Sequence, residues 1–229
     1  MTAEDYISGQ VLLIDKPLHW TSFQVVNKLR WEIKRAFNLK KIKVGHAGTL
    51  DPLASGLLII CTGKMTKQID TFQSQIKEYT GTFVIGSTTP SYDLETEIDA
   101  TFPTKHITNT LIQETVKQFI GAIEQFPPVF SAIKKDGKRL YEFARAGESV
   151  EIKSRTVHIS EFEITKFKGK RIDFRVVCSK GTYIRSLAHD FGKALNSGAH
   201  LSALRRTKIG KFEVSKAISM DTFIDQLSE

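Results

Sequence analysis

Two hydrophobic rhythms run along the chain, short continuous apolar runs and longer stretches with apolar residues every three to four positions, and they set the expected elements. Residues 9–14 (G-Q-V-L-L-I) read as a strand stopped by Pro17. Thr21 with Gln24 three residues on forms a capping box. Phe23, Val26, Leu29, Ile33 and Phe37 then recur at helical spacing, with Lys28, Arg30, Lys34 and Arg35 on the other face. Residues 57–61 are too short and too continuously apolar for anything but a buried strand or a buried turn of helix, and the flanking glycines favour strand. Residues 79–85 have the β-propensity of a further strand. A helix is expected over 108–123, with Leu111, Ile112, Val116, Phe119, Ile120 and Ile123 as its stripe, ended by Pro127 and Pro128. Residues 157–167 and 171–178 form a hairpin across Lys168-Gly169-Lys170. A helix then buries Ile184, Leu187, Ala188, Phe191 and Leu195, a basic strand-like segment carries Arg205, Arg206, Lys208 and Lys211, and a short helix covers 221–227. Strands and helices intermingle without the regular alternation of a doubly wound parallel sheet. The fold class this implies is α+β, with a mixed, largely antiparallel central sheet.

A chain of 229 residues can hold one sizeable core, or two small ones, without disulfides. Cys61 and Cys178 each end an apolar run with no metal-ligand spacing around them, which suits buried thiols in a reducing compartment. Residues 1–8 lack an apolar targeting core and no apolar run approaches membrane-spanning length, so a cytoplasmic protein with no membrane contact is expected. Lys and Arg outnumber Asp and Glu by 33 to 25, for a net charge of +8, which favours a polyanionic partner and equally fits a merely soluble basic protein. The placement of the bases narrows this. One run passes through Lys40, Lys41 and Lys43 toward the loop discussed next. A second, over 130–155, interleaves Lys134, Lys135, Lys138, Arg139 and Arg145 with Tyr141 and Phe143, around an Asp136-Gly137 turn and a short helix stopped by Gly147. Aromatic residues among bases suit a lobe that grips nucleic acid, and also an ordinary surface helix with a buried Tyr and Phe.

Candidate chemistry concentrates at residues 45–56, G-H-A-G-T-L-D-P-L-A-S-G, where three glycines and a proline frame one imidazole, His46, and one carboxylate, Asp51. The stretch has no strand or helix period. Asp followed by Pro also opens many helices, so Asp51 as a mere cap stands beside Asp51 as a reacting group. Other chemistries lack their residues. Gly63-Lys64-Met65-Thr66 does not satisfy the phosphate-loop pattern, and the six histidines are dispersed with no metal-binding spacing, so no metal is expected. A loop carboxylate, ionised at neutral pH, can attack a sugar or stabilise positive charge at an anomeric carbon.

The central loop, preceded by L-L-I-D-K-P (12–17) and followed by C-S-K-G-T-Y-I-R-S-L (178–187) and G-A-H-L-S-A-L-R-R (198–206), resembles the TruB-type family of tRNA pseudouridine-55 synthases. The resemblance implies a tRNA T-arm substrate, a flipped uridine, no cofactor, and no obligate protein partner. It implies Asp51 as the essential carboxylate, Arg185 as the arginine that pairs with it, and Tyr79 as the tyrosine stacked on the flipped base. It further implies His46 filling the gap that base leaves, Lys16, Tyr183 and Leu204 lining the pocket, and Asp93 in the neighbouring loop. Without it, Tyr79 reads as core, His46 as a turn residue bonded to the loop backbone, and Arg185 as bonding a backbone carbonyl. Many relatives carry a C-terminal RNA-binding PUA domain. Here only 15 residues (229 minus 214) follow position 214, so the expectation is a catalytic domain over 1–214 with a short tail, 215–229, in place of that domain. Two other functions remain compatible with a basic protein of this kind: a non-catalytic RNA-binding or chaperone module, and a nucleobase glycosylase.

Overall fold

The computed structural model describes residues 1–131, 133–135, 137–148 and 150–227, which divide into two compact units, Met1–Thr80 with Leu204–Glu229, and Gly81–Ala203. In chain order the elements begin with α1 (Ala3–Ser8), β1 (Val11–Lys16), α2 (Ser22–Ala36), β2 (Val44–Ala47), β3 (Ala54–Thr62), α3 (Ile69–Ser74) and β4 (Lys77–Ile85). Next come β5 (Ser87–Thr88), β6 (Ala100–Thr101), α4 (Asn109–Lys117), β7 (Gly121–Gln125), β8 (Lys134–Lys135), β9 (Lys138–Arg139) and α5 (Leu140–Arg145). The chain closes with β10 (Arg155–Lys168), β11 (Arg171–Cys178), α6 (Ile184–Ala194), β12 (Ala199–Ile209), β13 (Phe212–Glu213) and α7 (Met220–Gln226). Strands β4 and β12 each run from one unit into the other. The sheet is mixed: β12 pairs parallel with β3 through Leu204, Arg205 and Arg206, while β1 and β2 pair with β3 antiparallel. The expected α+β class with a mixed, largely antiparallel sheet is what the chain forms.

In the first unit β3 is covered on both faces, which explains its continuous apolar run: Leu57, Leu58, Ile59, Ile60 and Cys61 are all fully buried. Successive strand residues point to opposite faces. Leu58 and Ile60 pack with Val25, Val26, Leu29 and Ile33 of α2 and Phe223 of α7, while Leu57, Ile59 and Cys61 join Ala47 and Ile209 on the other side. Both caps of the predicted box at Thr21 and Gln24 are present. The stripe differs by one position: Phe23 is 65% exposed, and Ser22 and Val25 are buried in its stead. Ser22 lies one position, or about 100° of helix rotation, from Phe23, so burying it turns Phe23 to solvent.

In the second unit β10 pairs antiparallel with β11, as the hairpin pattern predicts, and with β7. Phe83, Phe162, Phe174 and Phe191 interlock at its centre, the rings of Phe83 and Phe174 stacking at 4.1 Å. The helix expected to reach residue 123 ends at Lys117. Gly121 adopts φ +98, a conformation that ends helices, and Ile123 enters β7 opposite Val157. Within the basic excursion, Lys138 pairs with Glu148 at 3.3 Å and sits 4.6 Å from the Phe143 ring centroid, and Gly147 follows the short helix with φ +70. Asp136 of the expected turn, and the side chains of Lys134, Lys135, Arg139 and Arg145, lie outside the described residues.

Candidate active site

The stretch that carries Asp51 is more ordered than its sequence suggests. Residues 44–47 form β2, so His46 sits on a strand opposite Ile60, and only 48–53 are irregular. Four residues containing a glycine are too few to show strand alternation, which is why the period was invisible. Asp51 does not cap a helix. Its carbonyl accepts the Ala54 N–H at 3.1 Å, and the turn leads straight into β3. The backbone around it is tied at alternate positions. Arg206 donates from Nη2 to the Gly48 carbonyl at 3.0 Å. The Leu50 N–H donates to Ser22 Oγ at 2.9 Å, and that hydroxyl donates back to the Leu50 carbonyl at 3.1 Å. The His19 N–H donates to the Pro52 carbonyl at 2.8 Å. Gly48 takes φ +90, which a residue with a Cβ rarely adopts. A Cβ at Gly56 would lie 2.3 Å from the Arg206 carbonyl, so the glycine permits the close β3–β12 approach that places Arg206 behind the loop. The half-buried Asp51 carboxylate is therefore presented from a fixed backbone.

Two buried cations stand near it. Arg206 is 1% exposed and also donates from Nε to the Leu57 carbonyl at 2.8 Å. Lys16 is fully buried at the end of β1, its Nζ donating to the carbonyls of Pro17 at 2.9 Å and Trp20 at 2.6 Å. Burial lowers the Lys16 pKa to about 8, the Asp51 charge opposing that shift and the Arg206 charge adding to it. Burial, and secondarily Arg206, likewise lowers the His46 pKa, so the imidazole is neutral at neutral pH; among the described residues its buried Nδ1 has no hydrogen-bond partner. The expected bond from His46 to the loop backbone is thus not made through Nδ1.

The Lys16 shift has a measurable consequence. Because the folded-state pKa is depressed, the unfolded chain holds more protons between pH 8 and pH 10.5, and this group's contribution to stability rises with pH across that window. It is fully present above 10.5 and is lost as pH falls through 8. Urea unfolding of the wild type and Lys16→Met is expected to show the wild type gaining on the variant as pH rises from 8 to 10.5. A constant difference across that range rules out the shift.

In the second unit Arg185, 3% exposed on the first turn of α6, lies 3.6 Å from Asp93, Nε to Oδ2. Its Nη1 donates to the carbonyls of Phe130 at 2.9 Å and Ser91 at 3.4 Å. The backbone contact expected of a structural arginine is therefore present together with a carboxylate contact. Asp93 also accepts the Glu95 N–H at 3.0 Å. Tyr183 precedes α6, and Gln125 clamps its backbone, accepting the Tyr183 N–H at 2.7 Å and donating to its carbonyl at 3.0 Å. The Arg155 guanidinium lies 4.7 Å from the Tyr183 ring centroid. Tyr79 is buried in β4, and Leu204 is half-buried in β12 opposite Ala54. The structure thus brings Lys16, His46, Asp51 and Arg206 together in one unit, and Asp93 and Arg185 in the other. Arg206, Ser22 and Gln125 were not singled out from the sequence. Only Arg206 carried a signal, as the end of the L-R-R block. Among the described residues no group of three or more His, Cys, Asp or Glu could hold a metal ion, and no helix is long and apolar enough to cross a membrane.

Residues 34–184 match the family described as "TruB family pseudouridylate synthase (N terminal domain)", and residues 185–229 match "tRNA pseudouridylate synthase B C-terminal domain". A protein of Flavobacterium johnsoniae named tRNA pseudouridine synthase B is 68% identical over 228 residues, covering 99% of this chain and 100% of the relative. One of the same name from Phocaeicola vulgatus is 57% identical, covering 98% and 96%. Among solved structures, a Cbf5-Nop10-Gar1 complex superposes with a TM-score of 0.73 at 32% identity, over 98% of this chain and 56% of the solved one. An H/ACA RNP bound to a substrate RNA containing 2'-deoxyuridine gives 0.68 at 30% identity, over 96% and 53%. The chain thus spans just over half the length of these solved chains and nearly all of the two bacterial relatives. Fold and sequence together define the class, a pseudouridylate synthase. Within that class the chain belongs to the TruB family.

Proposed function

We propose that the protein isomerises the T-loop uridine of tRNA, position 55, to pseudouridine. The N1–C1′ bond breaks, the base turns, and C5 bonds to C1′; the C5 proton is released and N1 gains one, so no cofactor, metal or oxidant enters. Asp51 is the catalytic carboxylate. Arg185 keeps it ionised once water is excluded, by pairing a guanidinium with it. Tyr79 stacks on the extruded base, the neutral His46 fills the gap, and Lys16, Tyr183, Leu204 and Asp93 shape the surroundings. The observation that carries this reading is a half-exposed carboxylate on a loop whose backbone is held at residues 48, 50 and 52, the preorganisation that a reacting group needs. Support for the substrate comes from the tRNA-directed names of the relatives and the basic charge. The reaction is cytoplasmic, on the T arm, without an obligate protein partner.

The test is tRNA transcript labelled with tritium at uridine C5. Isomerisation expels the label, a binding module releases none, and a glycosylase leaves an abasic site, which would reject the proposal. Affinity rests mainly on contacts from Lys and Arg to phosphate. The binding constant is therefore expected to fall steeply between ~50 and ~200 mM salt, with a log-log slope set by the number of phosphates engaged. A flat salt profile in a filter-binding assay contradicts that basis.

A further inference from the structure

Asp93 reaches Arg185 from a segment with an unusual backbone. Tyr92 has φ +65, in the left-handed region that is costly for a residue with a Cβ. In an extended segment Tyr92 and Asp93 would point to opposite sides. With the sign of φ reversed, both meet the same helix. Asp93 faces Arg185, and the Tyr92 ring lies on His189, centroids 4.0 Å apart and planes within 19°. Arg185 and His189 are four residues apart on α6 and so share one face. The backbone hydrogen bonds of the segment, Tyr92 N–H to Thr89 O at 3.1 Å and Leu201 N–H to Tyr92 O at 2.9 Å, fix its path but not the orientation of the ring.

His189 has no other evident use. Its buried Nδ1 has no hydrogen-bond partner among the described residues, and its ring face meets the Tyr92 ring. Burial and the Lys193 charge lower its pKa against the pull of Asp99, so the ring is neutral at neutral pH. Burial, with Asp190 and Asp99, raises that of Tyr92 and keeps its phenol protonated. Two neutral rings can stack face to face, and here they clip the segment before Asp93 onto the helix that carries Arg185.

We propose that Tyr92 and His189 are positioning residues, a ring-on-ring clip that holds Asp93 against Arg185 and so sets the direction of that guanidinium during the reaction. This rests on the function proposed above for its kinetic consequence and on geometry alone for the clip. Tyr92→Phe preserves the stack, Tyr92→Gly removes the ring while relieving the backbone, and His189→Leu removes the opposite ring. With uridine-labelled tRNA, the Gly and Leu variants are expected to lose about tenfold or more in kcat with little change in KM, and the Phe variant to match the wild type. Combining Tyr92→Gly with His189→Leu is expected to cost no more than either alone, since both break one contact. Independently of turnover, NMR of arginine-labelled protein is expected to show the Arg185 Nε–H exchanging faster with water in the Gly and Leu variants and unchanged in Phe. A Gly variant with wild-type kcat and wild-type exchange, or a Phe variant as impaired as Gly, overturns the clip. A wild type that releases no tritium while the exchange pattern holds overturns only the reaction. Thermal unfolding of each variant separates these outcomes from loss of fold.

Discussion

Asp51→Asn is expected to lower single-turnover tritium release by about a thousandfold or more, while tRNA binding measured by filter retention stays near the wild-type value. Asparagine keeps the size of the side chain. Several ties of the loop backbone use other groups: the carbonyl of Gly48, both backbone groups of Leu50, the carbonyl of Pro52, and the carbonyl of Asp51 toward Ala54. The substitution therefore removes negative charge and leaves those backbone ties in place. Loss of turnover with binding intact locates the chemistry at this oxygen pair. Equal loss of both favours a binding module in which Asp51 is structural, and substantial residual turnover places the chemistry on another residue.

The elements that were legible in the sequence are those whose burial is one-sided over many residues or complete over a few. The helix α2 announced itself through its capping box and stripe, β3 through five consecutive apolar residues, and α6 through Ile184, Leu187, Ala188 and Phe191. Failures fell where a local pattern had two solutions. Phe119, Ile120 and Ile123 continue a helical spacing, yet the helix ends at Lys117 and the chain enters β7 at Gly121, whose φ is positive. Phe23 fits the α2 stripe as well as Val25 does, until Ser22 is required to meet Leu50. The resemblance pointed to Asp51 without showing how the loop is held. Its braces come from residues 28 and 158 positions away, Ser22 to Leu50 and Arg206 to Gly48, and no periodicity encodes such pairings. Asp93 and Arg185, 92 residues apart, are another pair that only the fold brings together.

The burial of an arginine is not written in a basic strand-like segment near the end of a basic chain, and Arg206, 1% exposed, yields the second large effect. Its guanidinium spans from the Leu57 carbonyl in β3 to the Gly48 carbonyl at the start of the Asp51 loop. Lysine has no planar fork and cannot donate in both directions from that position, so Arg206→Lys is not conservative here. Arg206→Met leaves the two carbonyls buried without this donor, a cost of about 1–3 kcal/mol for each unsatisfied group. Both variants are expected to unfold at lower urea and to lose most of their turnover, Met more than Lys, since the loop loses the brace that fixes Gly48. A second readout separates the electrostatic part. Burial is the main cause of the low His46 pKa and Arg206 the lesser one, so in Arg206→Met the His46 titration followed by NMR is expected to move partway up toward 6.5. In Arg206→Lys, which keeps the charge, it is expected to move little. Wild-type turnover and stability in Arg206→Lys would mean that charge alone suffices and that the forked contact to Gly48 does not hold the Asp51 loop in place.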